Sequence, residues 1–475
     1  MNATAADASH GPELRAKVRS LMGGLIDALQ SLVKIRSVYG ENGSLQGVDD
    51  AAGAAQKLLK DSGLKDAELK SLGEGEAKLV YAQYECAGAP PGTPMVLLYA
   101  HYDVQPPGDW GDTAFRPVID AKARRMTGRG AADDKSGVVM HAGAVQAFDG
   151  KPPVHLRVVL EGEEETGREA LENYAKQHRE LFTADVIVIA DTGNHKIGEP
   201  TFTTSLRGVV EVDVTVSTLK AECHSGMYGG PAPDAFMALV RILARLHDDD
   251  GNVTVPGLVQ GKWTDLEPEE KQFRSDAGVL DGVKLIGTGS LGSRLYTKPS
   301  LNVVGLKGVP PMDHPANQLR DTVTARVGMR IAPQEDPQRA VDQLTAYLKS
   351  VNPWKANVDV QVSSEGLGKG KGFQAETRQP RYEVARQAME KAYPGTQAQH
   401  AGQGGSIPLA SLLQEINPKA TVLLIGCEEP LCRIHATGES VSLDELESMT
   451  LAESYLLQML AVPAGADVSG SRCPQ

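Results

Sequence analysis

Four short apolar stretches of the chain, PMVLLYAHYDV, VHLRVVLEGEEE, ADVIVIADTG and ATVLLIGCEE, each run directly into polar residues. The pattern predicts buried strands of a mostly parallel sheet covered on both faces. In such sheets ligands bind beyond the carboxyl ends of the strands, so the polar tails mark the place of chemistry. Near the start, Leu14, Val18, Leu21, Leu25 and Leu32 recur at helical intervals and predict an amphipathic helix packed on the body. The middle of the chain changes period. Val210, Val212, Val214 and Val216 alternate with Glu211, Asp213, Thr215 and Ser217, and TVTARVGMRI and NVDVQV repeat the alternation. These read as half-buried antiparallel strands. A helix presenting Val341, Leu344, Tyr347, Leu348 and Val351 lies between the last two, and GVPPMDHP is a turn-rich loop. The expected organisation is an α/β unit in two parts, residues 1–206 and 376–475, interrupted by an α+β insertion over 207–375.

The length of 475 residues agrees with two packed units rather than one core. With 48 basic and 61 acidic residues the formal charge is −13, a field that repels phosphate backbones and anionic lipid heads, so neither nucleic acid nor membrane is an expected partner. The opening MNATAADASHGPELRAKV has no basic stretch followed by an apolar one, and no window approaches the roughly 20 apolar residues of a membrane span. A cytoplasmic location is expected. Five cysteines, Cys86, Cys223, Cys427, Cys432 and Cys473, are odd in number and sparse, which predicts reduced thiols.

Candidate chemistry lies in the polar tails. In YAHYD, strand periodicity puts His101 and Asp103 on one face, where the carboxylate could take the N–H of a metal-bound imidazole. GRGAADDKSG is a glycine-rich turn leading to paired carboxylates before a helix beginning near Ser136. It lacks the third glycine of a dinucleotide loop, and a metal bridged by one of its aspartates explains it better than a solvated loop. EGEEETG places four acids within five positions. A charge run is ordinarily a solvated face, but at a strand end beside other acids it asks for a cation. Asp191 and His435 follow two further strands. Histidines and carboxylates gathered at strand ends suit zinc or manganese in a mixed N/O site. Cys427 and Cys432 lack the second pair that a structural zinc site requires and read as bystanders.

These clusters, in this order from about Leu25 to Leu456, resemble the metallopeptidase family that contains carnosinase, carboxypeptidase G, acetylornithine deacetylase and succinyl-diaminopimelate desuccinylase. The resemblance implies a catalytic α/β domain interrupted by a lid and dimerisation domain. It also implies two divalent ions per chain, zinc first with manganese or cobalt as alternatives. His101 and Asp191 would bind one ion, Glu165 and His435 the other, and Asp133 would bridge them. Asp103 would orient His101, Glu164 would be the general base, and the Asp133–Asp134 peptide would be cis.

Within that family, ECHSGMYGG, LYTKPSLNVVGLKG, VGMRIAP and GGSIP resemble the cytosolic dipeptidases. The resemblance makes Arg330, Gly405 and Ser406 substrate-binding, Arg330 through a carboxylate. It makes the protein a homodimer in which His224 reaches the partner's site and adds electrostatic stabilisation. Gly402 and Gln403 stand where Arg-Glu is usual, NQLRDTV replaces a Val-Ile-Pro segment, Glu222 replaces Asp and Ser136 replaces Gly. The expected reaction is hydrolysis of a dipeptide or similar small peptide. The alternative is release of an amino acid from an N-acyl group by the same residues.

Overall fold

The computed structural model describes residues 4–364 and 368–461; Cys473 lies outside them. The chain divides into two compact units. One comprises Met1–Thr204, Ala375–His400 and Leu412–Gln475, the other Ser205–Gln374 and Ala401–Ser411.

The first unit is built on a six-stranded sheet in the order Glu68–Ser71, Lys78–Tyr84, His155–Glu161, Met95–His101, Val186–Ile189, Thr421–Leu424. The last four run parallel to one another, and the first two are attached antiparallel. Val96, Leu98, Ala100, Val158, Leu160, Val186 and Val188 join one core with helices Thr4–Val33, Gln46–Ser62, Lys135–Gln146 and Leu443–Leu460. The alternate residues Leu97, Tyr99, Val159 and Ile187 are also fully buried. Both faces of these strands are therefore covered, which is why their sequences are continuous apolar runs rather than alternating ones. The predicted N-terminal helix buries Leu14, Val18, Leu25 and Leu32. Its end is tied down by Lys135, whose buried Nζ donates to the carbonyls of Leu32 (3.0 Å) and Ile35 (2.8 Å).

The second unit carries an antiparallel sheet ordered Ser300–Lys307, Thr322–Ile331, Gly208–Ser217, Asn357–Val362, with Lys369–Gly370 also on the Gly208–Ser217 strand. Its apolar face sets the four alternating valines and Val323, Ala325, Val327 and Met329 against helices Ala235–Leu243 and Pro337–Ser350. The opposite face is polar: Arg326 grips Asp213 through two bonds of 2.8 and 3.0 Å, and Thr215 meets Thr324 at 2.9 Å. Period-2 burial on one face produced the alternation seen in the sequence. The strip Ala401–Ser411, expected with the last stretch of the larger unit, groups with the insertion. Gly402 lies against the Tyr296 ring and Ser406 bonds to Arg207 and Arg330.

The architecture is thus α/β with a mostly parallel sheet, interrupted by an inserted α+β unit. Cys86, Cys223, Cys427 and Cys432 are free. Among the described residues, no helix is long and apolar enough to cross a membrane.

Candidate metal centre

His101 is the last residue of its strand and is wholly buried. Its ring Nδ1 lies 3.2 Å from the backbone carbonyl of Asp103 and 3.4 Å from Asp103 Oδ1. Both acceptors fix the ring and leave Nε2 to face the cluster. Asp103 Oδ2 meanwhile accepts the backbone N–H of Glu165 at 3.1 Å, so this aspartate spans two strand ends.

Nε2 of His101 lies 2.9 Å from Asp133 Oδ1 and 3.6 Å from Asp191 Oδ1. The other oxygen of the same carboxylate, Asp133 Oδ2, is 3.0 Å from His435 Nε2, which is 3.1 Å from Glu165 Oε2. Two donor groups result, His101 with Asp133 and Asp191, and His435 with Asp133 and Glu165, and each could hold a metal ion. Asp133 belongs to both. The Asp133–Asp134 peptide is cis, as the resemblance implies. Asp134 turns away from the cluster, accepting the N–H of His101 and, as helix cap, that of Gly137, both at 3.2 Å. His435 has φ of 60°, a left-handed conformation that costs a non-glycine residue on the order of 1–3 kcal/mol and is characteristic of functional sites.

Burial and the neighbouring Asp191 push Glu164 well above the usual carboxylate range, and burial raises Asp191 to about 6. Glu428, buried beside Asp133 and Asp191, is pushed up in the same way. Burial also opposes the charge on Asp133, but His101 and His435 overcome it and hold this carboxyl low. Acids this close and this dry cannot all ionise unless cations join them. The donor set of imidazole nitrogens and carboxylate oxygens fits divalent zinc or manganese.

The structure therefore brings His101, Asp103, Asp133, Glu164, Glu165, Asp191 and His435 together in the first unit. In the second unit Arg330 Nη1 donates to Ser406 Oγ at 2.8 Å, and beside it Gly405 faces open space. His224 is exposed on the short strand Cys223–His224, where its Nδ1 accepts the N–H of Gly226 at 3.1 Å.

Sequence reasoning missed two supporting residues. Gln105 holds Glu165, its Nε2 donating to Oε2 at 2.8 Å and its backbone N–H to Oε1 at 3.2 Å. The buried Glu439 accepts the N–H groups of Ala132 and Asp133. Its spacing of four residues after His435 was the available hint, and it is weak.

The family model described as peptidase family M20/M25/M40 matches residues 97–459. A cysteinylglycine-S-conjugate dipeptidase of Corynebacterium striatum is 36% identical over 373 residues, 77% of this chain and 80% of that protein. The human Beta-Ala-His dipeptidase is 27% identical over 400 residues, 78% of this chain and 76% of that one. Among solved structures, the di-peptidase Dug1p of Saccharomyces cerevisiae superposes with a TM-score of 0.76 over 95% of this chain and 99% of its own, at 22% identity. With the fold and the family model in agreement, the protein is a peptidase hydrolase, and the chain belongs to peptidase family M20/M25/M40.

Proposed function

We propose that the protein is a dinuclear metal-dependent dipeptidase, and the observation that carries this reading is Asp133, whose two oxygens face two separate histidine–carboxylate groups. His101 and Asp191 would hold one ion and Glu165 and His435 the other, with Asp133 available to both. Zinc suits the donors first, with manganese and cobalt as alternatives. When bound, the ions would lower the pKa of a water and polarise the scissile carbonyl.

Glu164 is the general base. Half-buried beside Asp191 and His101, it would take a proton from the attacking water and pass it to the leaving amine. Its neighbour Glu165 is held in place by Gln105. Asp103 orients His101. Arg330, with Ser406 and Gly405, holds a substrate carboxylate, for which a guanidinium is the fitting donor.

The substrate class proposed is the dipeptide, because the relatives above are named for cysteinylglycine conjugates and Beta-Ala-His. N-acyl amino acids would use the same residues, but no observation favours them. The protein acts as a homodimer through the inserted unit, with His224 serving the partner's site. Supporting this, the Ser300–Lys307 strand ends its sheet and exposes Val303, Val304 and Leu306, an edge suited to a second copy. A cytoplasmic setting agrees with the four free cysteines. A panel of dipeptides and N-acetyl amino acids, offered to metal-reconstituted protein, tests the reading. Turnover confined to dipeptides is expected; turnover confined to N-acyl substrates would replace it.

A further inference from the structure

On the polar side of the inserted unit, two arginines stand together, and among the described residues no acid is bound to either. Arg207 is 9% exposed; its Nη1 donates to Ser300 Oγ at 2.8 Å and its Nε to the carbonyl of Gly404 at 3.3 Å. Arg330 donates to Ser406 Oγ, and that hydroxyl donates in turn to the backbone carbonyl of Arg207. Register places Arg330 opposite both Ser300 and Val209, so both guanidiniums and both serines form one cluster. Among the described residues neither arginine makes an ion pair; the polar partners of their side chains are hydroxyls and a carbonyl.

Burying a guanidinium without an anion is costly, and the half-buried Arg330 beside Arg207 adds repulsion. Burial and the nearby Arg330 bring Arg207 down to about 10. The loop opposite is made of glycine where space is needed: a Cβ on Gly404 would stand 3.2 Å from Arg207 Nη2, and one on Gly405 would meet nothing. The planar fork of a guanidinium matches a carboxylate, which it can hold through two parallel N–H bonds.

We infer that Arg207 is a specificity-determining residue which, with Arg330, receives the free C-terminal carboxylate of the substrate peptide. The inference rests on the dipeptidase reading and on the role given there to Arg330; what it adds is the second guanidinium.

A cycle of substrate against variant tests it. Metal-loaded wild type, Arg207→Gln and Arg207→Lys are assayed on Ala-Gly and on its C-terminal amide. Loss of a charge-assisted bond to carboxylate corresponds to roughly a 10–100-fold fall. Arg207→Gln should lose about that factor in kcat/KM on the acid, mainly through KM, and change little on the amide. Arg207→Lys, which keeps the charge, should fall between. Equal losses on acid and amide would make Arg207 mere scaffolding and overturn the inference. Calorimetric binding of N-acetylglycine against N-acetylglycinamide supplies a readout that needs no turnover. Acid-selective binding that Arg207→Gln abolishes supports the site even if the dipeptidase reading fails, and binding that ignores the variant refutes it. If Arg207→Gln does not fold, the lysine variant decides both assays.

Discussion

Glu439 holds Asp133 in place through the backbone. One oxygen of the buried Glu439 carboxylate accepts the N–H groups of Ala132 at 3.1 Å and Asp133 at 3.2 Å, while the other pairs with Arg129 Nη1 at 2.7 Å. Glu439 follows His435 by four residues, so the loop that carries one histidine of the centre also fixes the carboxylate that this histidine faces.

Truncation at this point should be severe. Glu439→Ala leaves Arg129 buried and unpaired, a change that costs about 3–5 kcal/mol. Urea unfolding of the apo protein measures it directly. A loss below about 1 kcal/mol would show that Arg129 finds solvent instead.

Metal content is the next measurement. Reconstituted protein should hold two divalent ions per chain, and prolonged chelation should abolish turnover and restore it on readdition. Asp133→Asn, which weakens both donor groups at once, should lower the content of both ions together. Loss of only one would contradict the shared-bridge assignment.

Glu164→Gln removes a proton acceptor and little else. We expect retained metal and substrate binding with turnover reduced by about 10²–10⁴-fold. A variant of near-normal rate would require another base.

Subunit mixing tests the role of His224. Chains carrying His224→Ala and chains carrying Glu164→Ala should each be inactive. Exchanged at random, about half the dimers are mixed, and each mixed dimer has one site with both groups, so roughly a quarter of wild-type activity should return. Mixtures that stay inactive after proven exchange would place His224 in its own chain's site.

Stability should depend on pH through His141. Its Nδ1 lies 2.8 Å from Glu453 Oε2 and its Nε2 3.0 Å from the carbonyl of Tyr99, so both ring nitrogens face acceptors. Burial alone would lower its pKa, but Glu453 prevails and raises it. With the folded value above the unfolded one of about 6.5, the contribution is complete below that pH and fades as pH climbs through the folded value. The unfolding free energy of wild type minus that of His141→Gln should therefore be larger near pH 6 than at a pH well above that range. A difference that does not change with pH would show that the ring stays neutral.

Much of this was legible along the chain because burial leaves a periodic trace. The four apolar runs became adjacent parallel strands, and the alternating valines became one face of the inserted sheet. The ligand candidates stood out because acids and histidines directly after apolar runs are conspicuous. The antiparallel pair Glu68–Ser71 and Lys78–Tyr84 was not anticipated: the first is short and largely exposed, and the second has a buried run only from Leu79 to Ala82. Gln105 and Glu439 escaped for a different reason. They act through side-chain bonds to residues far along the chain, Glu439 on one 307 positions away, and such contacts have no period. The approach of the strip Ala401–Ser411 to Tyr296 and Arg207 leaves no trace in sequence order.

The pairing of Thr421–Leu424 with Val186–Ile189 also sets a timetable. Thr421 stands opposite Val186, so a strand already made must wait for 235 more residues before its neighbour exists. At synthesis rates of roughly 5–20 residues per second, the wait is on the order of 10–50 seconds. During that interval a bare apolar strand edge is open to any other unpaired strand. The inserted unit, made in between, has its own core and can fold while the larger unit is still incomplete. His435 is synthesised later still, so the nascent protein must be kept from aggregating before it has any means of acting on a substrate.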